Sequence, residues 1–412
     1  MEQTYNRWAI LAAAIVVNIC IGSQYAWSVF AMPLGKHFGW DAATVAMAFT
    51  ITFATGPIVM ICAGILVDRK GARFNIVLGG ILFGVGMFLV GFISTPAMLY
   101  LAFSIIAGVG AGTTYAGNIN NTVKFFPDKR GLATGLQAAG YGAGAIIAAP
   151  LASSLIIDHG VLNTFKYLGA AFFVIILLCT LVIRRAPAGY CPEGWAPPAQ
   201  TNPAFGKADK NWMEMIQDVR WWVIFCMFAV GTLSGMMIIA HASPIGQTMF
   251  GLTPQVAALF VSVIALFNLC GRIGFGSLSD KIGRYNTLTI MYVLAAVVLM
   301  IITNTSSIAG FAIAGMGVGA VFGGLQAIFP SMIAENYGVK NVGVNYGITF
   351  IGLGVAAFFG PRIAAKVSIA NNGDYTQAFY IAMLASIVGI VLTFVYRVLD
   401  KRHKAAEKAA LN

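Results

Sequence analysis

The chain has 412 residues, 59% apolar and 9% charged, with a net charge of +11 and a mean hydropathy of +0.82. Soluble domains carry about 25% charged residues, so this composition excludes an ordinary soluble enzyme and points to a bilayer-embedded protein. Its basic excess sits in short connections, "VDRKGAR", "PDKRG", "IRRAPAG" and "SDKIGR", and in the tail "YRVLDKRHKAAEK", which fits one membrane face rather than a nucleic-acid groove.

Apolar runs long enough to cross a bilayer recur twelve times, at about 8–31, 43–67, 74–94, 98–123, 131–156, 164–184, 221–248, 255–279, 285–304, 308–333, 342–368 and 377–399. The first run is too long for a cleaved signal and reads as a retained span. One long polar interval, rich in Pro and Gly, divides the spans six and six. The expected organisation is an N-terminal six-helix bundle over 1–184, a cytoplasmic linker over 185–220, and a C-terminal six-helix bundle with a short tail over 221–412. An even number of spans returns both termini to one side, and the basic tail makes that side cytoplasmic. The expected setting is a cell membrane, a bacterial inner membrane by preference, with the chain a monomer in lipid and no nucleic-acid partner.

The halves repeat each other. "GILVDRKGAR" from Gly64 matches "GSLSDKIGR" from Gly276, and "AGVGAGTTYAGN" in the fourth span matches "AGMGVGAVFGGLQA" in the tenth. Phe126–Pro127 and Phe329–Pro330 close those two spans. A duplicated six-span unit characterises secondary transporters with a substrate site between the halves. The glycine series look like dinucleotide loops, but no strand precedes them, and glycine at these spacings lets membrane helices approach closely. No cofactor or metal site is expected. Cys20, Cys62, Cys179, Cys226 and Cys270 read as small buried hydrophobes, with Cys191 in a loop.

The eighth span, "LFNLCGRIGFGSLSDKIGR", holds Arg272 with its nearest charge eight residues away at Asp280. That is roughly 12 Å along a helix, which puts the cation near mid-bilayer at a cost of ~2.5–3.5 kcal/mol. None of the 14 acidic residues falls deep in an expected span. An unpaired guanidinium asks for an anion, and its fork of donors suits a carboxylate.

The loop G-x-x-x-D-[RK]-x-G-x-R at Gly64–Arg73, with its second copy, resembles the signature of the major facilitator superfamily. That resemblance implies an all-α fold of 12 transmembrane helices in two six-helix bundles related by pseudo-two-fold symmetry, working by alternating access. It makes Asp68, Arg69, Arg73, Asp280, Lys281 and Arg284 gating residues, the acids facing helix N-termini and the bases pairing with acids. Within the superfamily, "SQYAWSVFAMPL", "TTYAGNINNTVKFFPDKRGLATG", "AAGYGAG" and the eighth span resemble the oxalate:formate antiporter family. This implies that Arg272 binds a substrate carboxylate, with Gln24, Tyr25, Tyr115, Tyr141 and Asn268 around it. Trp27, Phe322 and Phe350 are candidate walls, and one of Asn118, Asn120 and Asn121 is expected to reach the cavity.

The family's oxalate carrier places a second cation, a lysine, in the eleventh span. Here Leu353 aligns with it, while Phe53 and Gln326 replace a glutamine and a tyrosine. Losing that cation disfavours a dianion, so a monocarboxylate is expected: lactate, pyruvate, formate or acetate. Asn268 stands where proton-coupled relatives can carry an aspartate, so anion exchange is favoured over proton symport. His241 reads as a polar helix end rather than a proton carrier. A membrane enzyme would need a nucleophile–base pair or a ligand cluster, and a carboxylate receptor would carry a long folded extension. The sequence offers neither.

Overall fold

The structure, a computed structural model, describes residues 6–126, 128, 130–187, 190, 192, 210–338 and 341–411. Among them every regular element is helical, and twelve helical segments are long and apolar enough to cross a membrane. Spans 1–6 are Arg7–Phe38, Ala42–Val67, Ala72–Val90, Pro96–Thr122, Gly135–His159 and Val161–Val182. Spans 7–12 are Val219–Phe250, Pro254–Ile282, Arg284–Asn304, Ile308–Tyr337, Val344–Ala370 and Thr376–His403.

Local chemistry sets the ends. Asn6 accepts from the Ala9 amide at 3.1 Å, Asp41 from the Thr44 amide at 2.6 Å, and Ser307 from the Gly310 amide at 3.0 Å, each satisfying a donor that the first helical turn leaves open. The bonds from Thr44 hold the Asp41 carboxyl below the usual carboxylate range, outweighing the opposing effect of burial. The two copies of the repeated loop also fold alike. Gly71 and Gly283 both hold φ +89°, a conformation that side chains with a Cβ rarely adopt.

By contacts the chain forms two compact units, residues 1–202 with 252–266, and residues 203–251 with 267–412. The start of span 8, residues 254–266, falls in unit 1, where the Ser262 hydroxyl donates to the Ile146 carbonyl at 3.0 Å. In the first unit span 3 packs on spans 4 and 6, and span 1 on spans 5 and 6. In the second, span 9 packs on spans 10 and 12, and span 7 on spans 11 and 12. Adding six to each span number converts one list into the other, so packing repeats as the sequence does.

Four of the described spans depart from a continuous α-helix. Span 2 breaks at Thr55, and span 4 widens to a π-helix over Tyr100–Ala107. Span 1 changes to a tighter 3₁₀ turn over Ser23–Ala26 before resuming at Trp27, and span 11 breaks between Thr349 and Ile351. Mid-span departures of this kind often mark functional positions. Large apolar side chains such as Ile58, Leu101, Ile147, Leu181, Met300 and Leu384 lie on the outer surface, which is hydrocarbon when the helices sit in a bilayer. The cysteine expectation needs a correction for the same reason. Cys20 is buried and Cys179 half-buried, but Cys62, Cys226 and Cys270 are exposed, because an apolar thiol is as comfortable against lipid as inside the protein. Cys191 lies outside the described residues.

Candidate functional site

In the first unit the interruption of span 1 carries Gln24 and Tyr25. Just before it, Gly22 presses on the backbone carbonyl of Tyr141, and Gly144 presses on the backbone of Ile19 and Gly22. A Cβ at either glycine would collide, so spans 1 and 5 cross here backbone to backbone. The crossing brings the Tyr25 and Tyr141 rings to 5.5 Å at 84°; Tyr141 meets Tyr115 of span 4 at 5.1 Å, and Tyr25 stacks on Phe53 of span 2 at 5.4 Å. Three of the tyrosines named from sequence therefore form one aromatic chain with Phe53. Gln24 is 2% exposed, and its Nε2 makes no hydrogen bond among the described residues. A buried amide left in that state is a recognised mark of a position that meets water or ligand.

The other residues of span 4 divide. Asn118 donates to Asn18 Oδ1 at 2.8 Å and tightens spans 1 and 4. Asn121 grips the chain leaving span 6, donating to the Arg184 carbonyl at 2.9 Å and accepting from the Ala186 amide at 3.2 Å. Among the described residues Asn118 and Asn120 each keep a buried Oδ1 with no hydrogen bond, but only Asn120 has no side-chain bond of its own to another segment. Trp27 is fully buried against Phe103 at 4.4 Å, a packing contact within the unit.

In the second unit Arg272 is half-buried, and its Nε donates to Asn268 Oδ1 at 3.1 Å. Among the described residues no acidic side chain pairs with it. The site residues of spans 10 and 11 take different environments. Phe322 is fully buried, its ring under Gly235 of span 7, and Gln326 is half-buried. Phe350 sits at the break of span 11, with its ring 5.6 Å from Tyr346 and 6.1 Å from Phe228. Leu353, three residues on, is 3% exposed.

His241 is fully enclosed. Its Nε2 meets the Pro361 carbonyl at 2.9 Å and its Nδ1 the Tyr375 hydroxyl at 3.4 Å, so it joins spans 7 and 11 to the residue before span 12. A carbonyl can only accept, which requires a proton on Nε2 and leaves Nδ1 as the acceptor of the neutral ring.

The gating residues are unevenly engaged. Arg284 binds Asp280 at 2.6 Å and Glu335, at the end of span 10, at 2.8 Å. Among the described residues Arg73 donates to the Thr180 carbonyl at 3.4 Å. Arg69 and Lys281 are exposed, and the side chain of Asp68 lies outside the described ones. Sequence reasoning missed four partners. Glu335 completes the Arg284 cluster, Asp128 takes Arg7 bidentately at 2.6 and 3.0 Å, and Asp218 takes the buried Arg220 at 2.6 Å, with Asp400 3.6 Å away. None of these pairings except Asp218 with Arg220 is local in sequence, and no short motif announces them.

Twelve apolar helices in a duplicated arrangement, with a broken span in each unit and, inside span 8, a cation with no acidic partner among the described residues, define a polytopic membrane transporter. The sequence matches the Major Facilitator Superfamily profile over residues 12–361 and 275–411, and the chain belongs to that superfamily. Within it, the chain is similar to the oxalate:formate antiporter of Oxalobacter formigenes, 32% identical over 394 residues that cover 95% of this chain and 91% of the relative. It is 29% identical to the MFS-type transporter YhjX of Escherichia coli, covering 85% and 86% of the two chains, and 22% identical to human monocarboxylate transporter 12, covering 96% and 81%. The fold matches the inward-facing crystal structure of a bacterial homologue of the lysosomal transporter Spinster with a TM-score of 0.72 over 98% of both chains at 16% identity.

Proposed function

We propose that this chain is a secondary active transporter of small monocarboxylate anions, with lactate, pyruvate, formate and acetate as the substrate class, and that Arg272 takes the carboxylate. The observation that carries this reading is the state of Arg272. It is a cation within an apolar span whose one hydrogen bond among the described residues is to a neutral amide. Such a guanidinium retains its full charge and its terminal donors for an anion. Gln24, Tyr25, Tyr115 and Tyr141 supply hydroxyls and an amide for the same ligand, and Phe350, Gln326 and Leu353 set its apolar side. Leu353, where the oxalate carrier has a lysine, supports one negative charge per substrate rather than two.

Alternating access then exchanges one anion for another. Exchange is favoured over proton symport because Arg272 has a neutral neighbour in place of a titratable one. Arg284 with Asp280 and Glu335, and Arg73 with the Thr180 carbonyl, act as contacts that form and break during the cycle. Both termini lie on the cytoplasmic face. A second reading, oxalate:formate exchange, is supported by the 32% identity to that antiporter.

The test is uptake of labelled monocarboxylates into proteoliposomes. Arg272→Gln abolishes uptake while the protein stays folded and inserted, and Arg272→Lys is also poor, because a point charge does not reproduce the planar fork. Normal uptake by Arg272→Gln refutes the assignment.

A further inference from the structure

Span 8 places Asn268 one turn before Arg272, and the two side chains are joined by the 3.1 Å bond from Nε to Oδ1. A guanidinium offers a carboxylate two edges, the Nε–Nη edge at its side and the edge formed by the two terminal nitrogens. Asn268 occupies the first through Nε. What remains is the terminal edge.

Asn268 is itself held firmly. It is 5% exposed, and its backbone carbonyl lies against Gly323 of span 10 so closely that a Cβ there would collide with it. One residue before the arginine, Gly271 presses on the Ala320 carbonyl in the same way. Spans 8 and 10 thus touch backbone to backbone at the level of Asn268–Arg272, and this contact exists because both positions lack a side chain.

We propose that Asn268 is the positioning residue of the carboxylate site: it fixes the Arg272 guanidinium so that the terminal edge alone meets the substrate, and as a neutral amide it does so without cancelling the charge. This rests on the reading of Arg272 as the anion ligand. The side-chain chemistry at 268 is narrow for a physical reason. An apolar residue leaves Nε without a partner and frees the guanidinium to turn. An aspartate of the same shape accepts from Nε equally well, but its charge competes with the substrate for the cation. Among the described residues no Asp, Glu, Lys or His hydrogen-bonds or ion-pairs with either Asn268 or Arg272, so an acid introduced at 268 is the one titrating group in contact with this cation.

The experiment measures monocarboxylate uptake in proteoliposomes between pH 5 and 8 for the native chain, Asn268→Ala, Asn268→Asp and Gly274→Ala. Gly274, where a Cβ meets open space, is the control for substitution within span 8. Asn268→Ala raises KM about tenfold with little change in maximal rate, because the ligand cation is present but no longer oriented. In Asn268→Asp a bound anion beside the new carboxylate favours its protonated form, so substrate binding takes up a proton. Its KM then rises with pH by up to about tenfold per unit relative to native protein. Gly274→Ala behaves as native. Asn268→Asp is isosteric with the native residue, so its pH limb is read without a packing change. An Asn268→Asp profile parallel to the native one, or an Asn268→Ala KM within twofold of native, overturns the positioning role. The two readings fail separately: uptake by Arg272→Gln removes the anion ligand, whereas a dead Arg272→Gln beside a native-like Asn268→Asp removes only this inference.

Discussion

Leu353→Lys tests substrate charge directly. Leu353 is 3% exposed and stands just past the break of span 11, where the Leu353 and Gly354 amides both turn back to the Phe350 carbonyl at 3.0 and 3.3 Å. A lysine placed there loses the water around its ammonium, a cost of ~2.5–3.5 kcal/mol on insertion scales, and it can escape part of that by releasing its proton. That cost weighs on the empty protein and lowers the overall rate whatever the substrate. A dianion recovers some of it by presenting a second carboxylate to the ammonium. A charge-assisted hydrogen bond is worth ~1.5–3 kcal/mol, which converts to a shift of roughly 10- to 100-fold in relative affinity. The assay is therefore the ratio of oxalate to lactate affinity, measured by competition against one labelled substrate in native and mutant proteoliposomes. The native ratio favours lactate, and the mutant ratio moves toward oxalate by at least several-fold. Native protein that binds oxalate more tightly than every monocarboxylate tried refutes the reasoning, and the function reverts to oxalate:formate exchange.

Tyr115→Phe and Gln24→Ala each weaken apparent monocarboxylate affinity, by ~1–3 kcal/mol if each side chain bonds the charged group; unchanged binding curves for both would move the site away from spans 1 and 4. His241→Gln keeps uptake and its pH profile but lowers thermal stability by ~1–3 kcal/mol, because the ring serves as a link to Pro361 and Tyr375; a lost or shifted pH dependence would make it a proton carrier instead. Asp218 carries a pH prediction of definite sign. Burial acts to raise its carboxyl, but hydrogen bonds from the Arg220 side chain and backbone, with the charges of Arg220 and Lys210, hold it below the ordinary carboxylate range. A depressed carboxylate adds stability that is present above its unfolded pKa and lost as pH falls through the folded one. Asp218→Asn therefore lowers the melting temperature at pH 7 and flattens the acid side of its pH profile, and an unchanged acid limb contradicts this.

The number of spans, the repeated loop and the lone cation of span 8 were legible in the sequence, for reasons local to each segment. Hydropathy over about twenty residues decides whether a helix enters a bilayer, a repeated loop is visible as a repeated string, and a lone arginine in an apolar run announces its own cost. The folded chain added what depends on partners far away in sequence. "SQYA" contains neither Gly nor Pro, yet span 1 tightens there, beside the crossing of Gly22 with Tyr141 and Gly144 about 120 residues later. The three asparagines of span 4 look equivalent as letters, but Asn118 is held by Asn18 and Asn121 by the chain after span 6, which leaves Asn120. Gly323 looks like one more small residue of a glycine series until its contact with the Asn268 backbone gives it a place beside the arginine. Transfer from water to lipid acts on each segment by itself, so composition determines which helices cross. Hydrogen bonds and backbone contacts need two surfaces, so which residues meet was decided only when the helices packed.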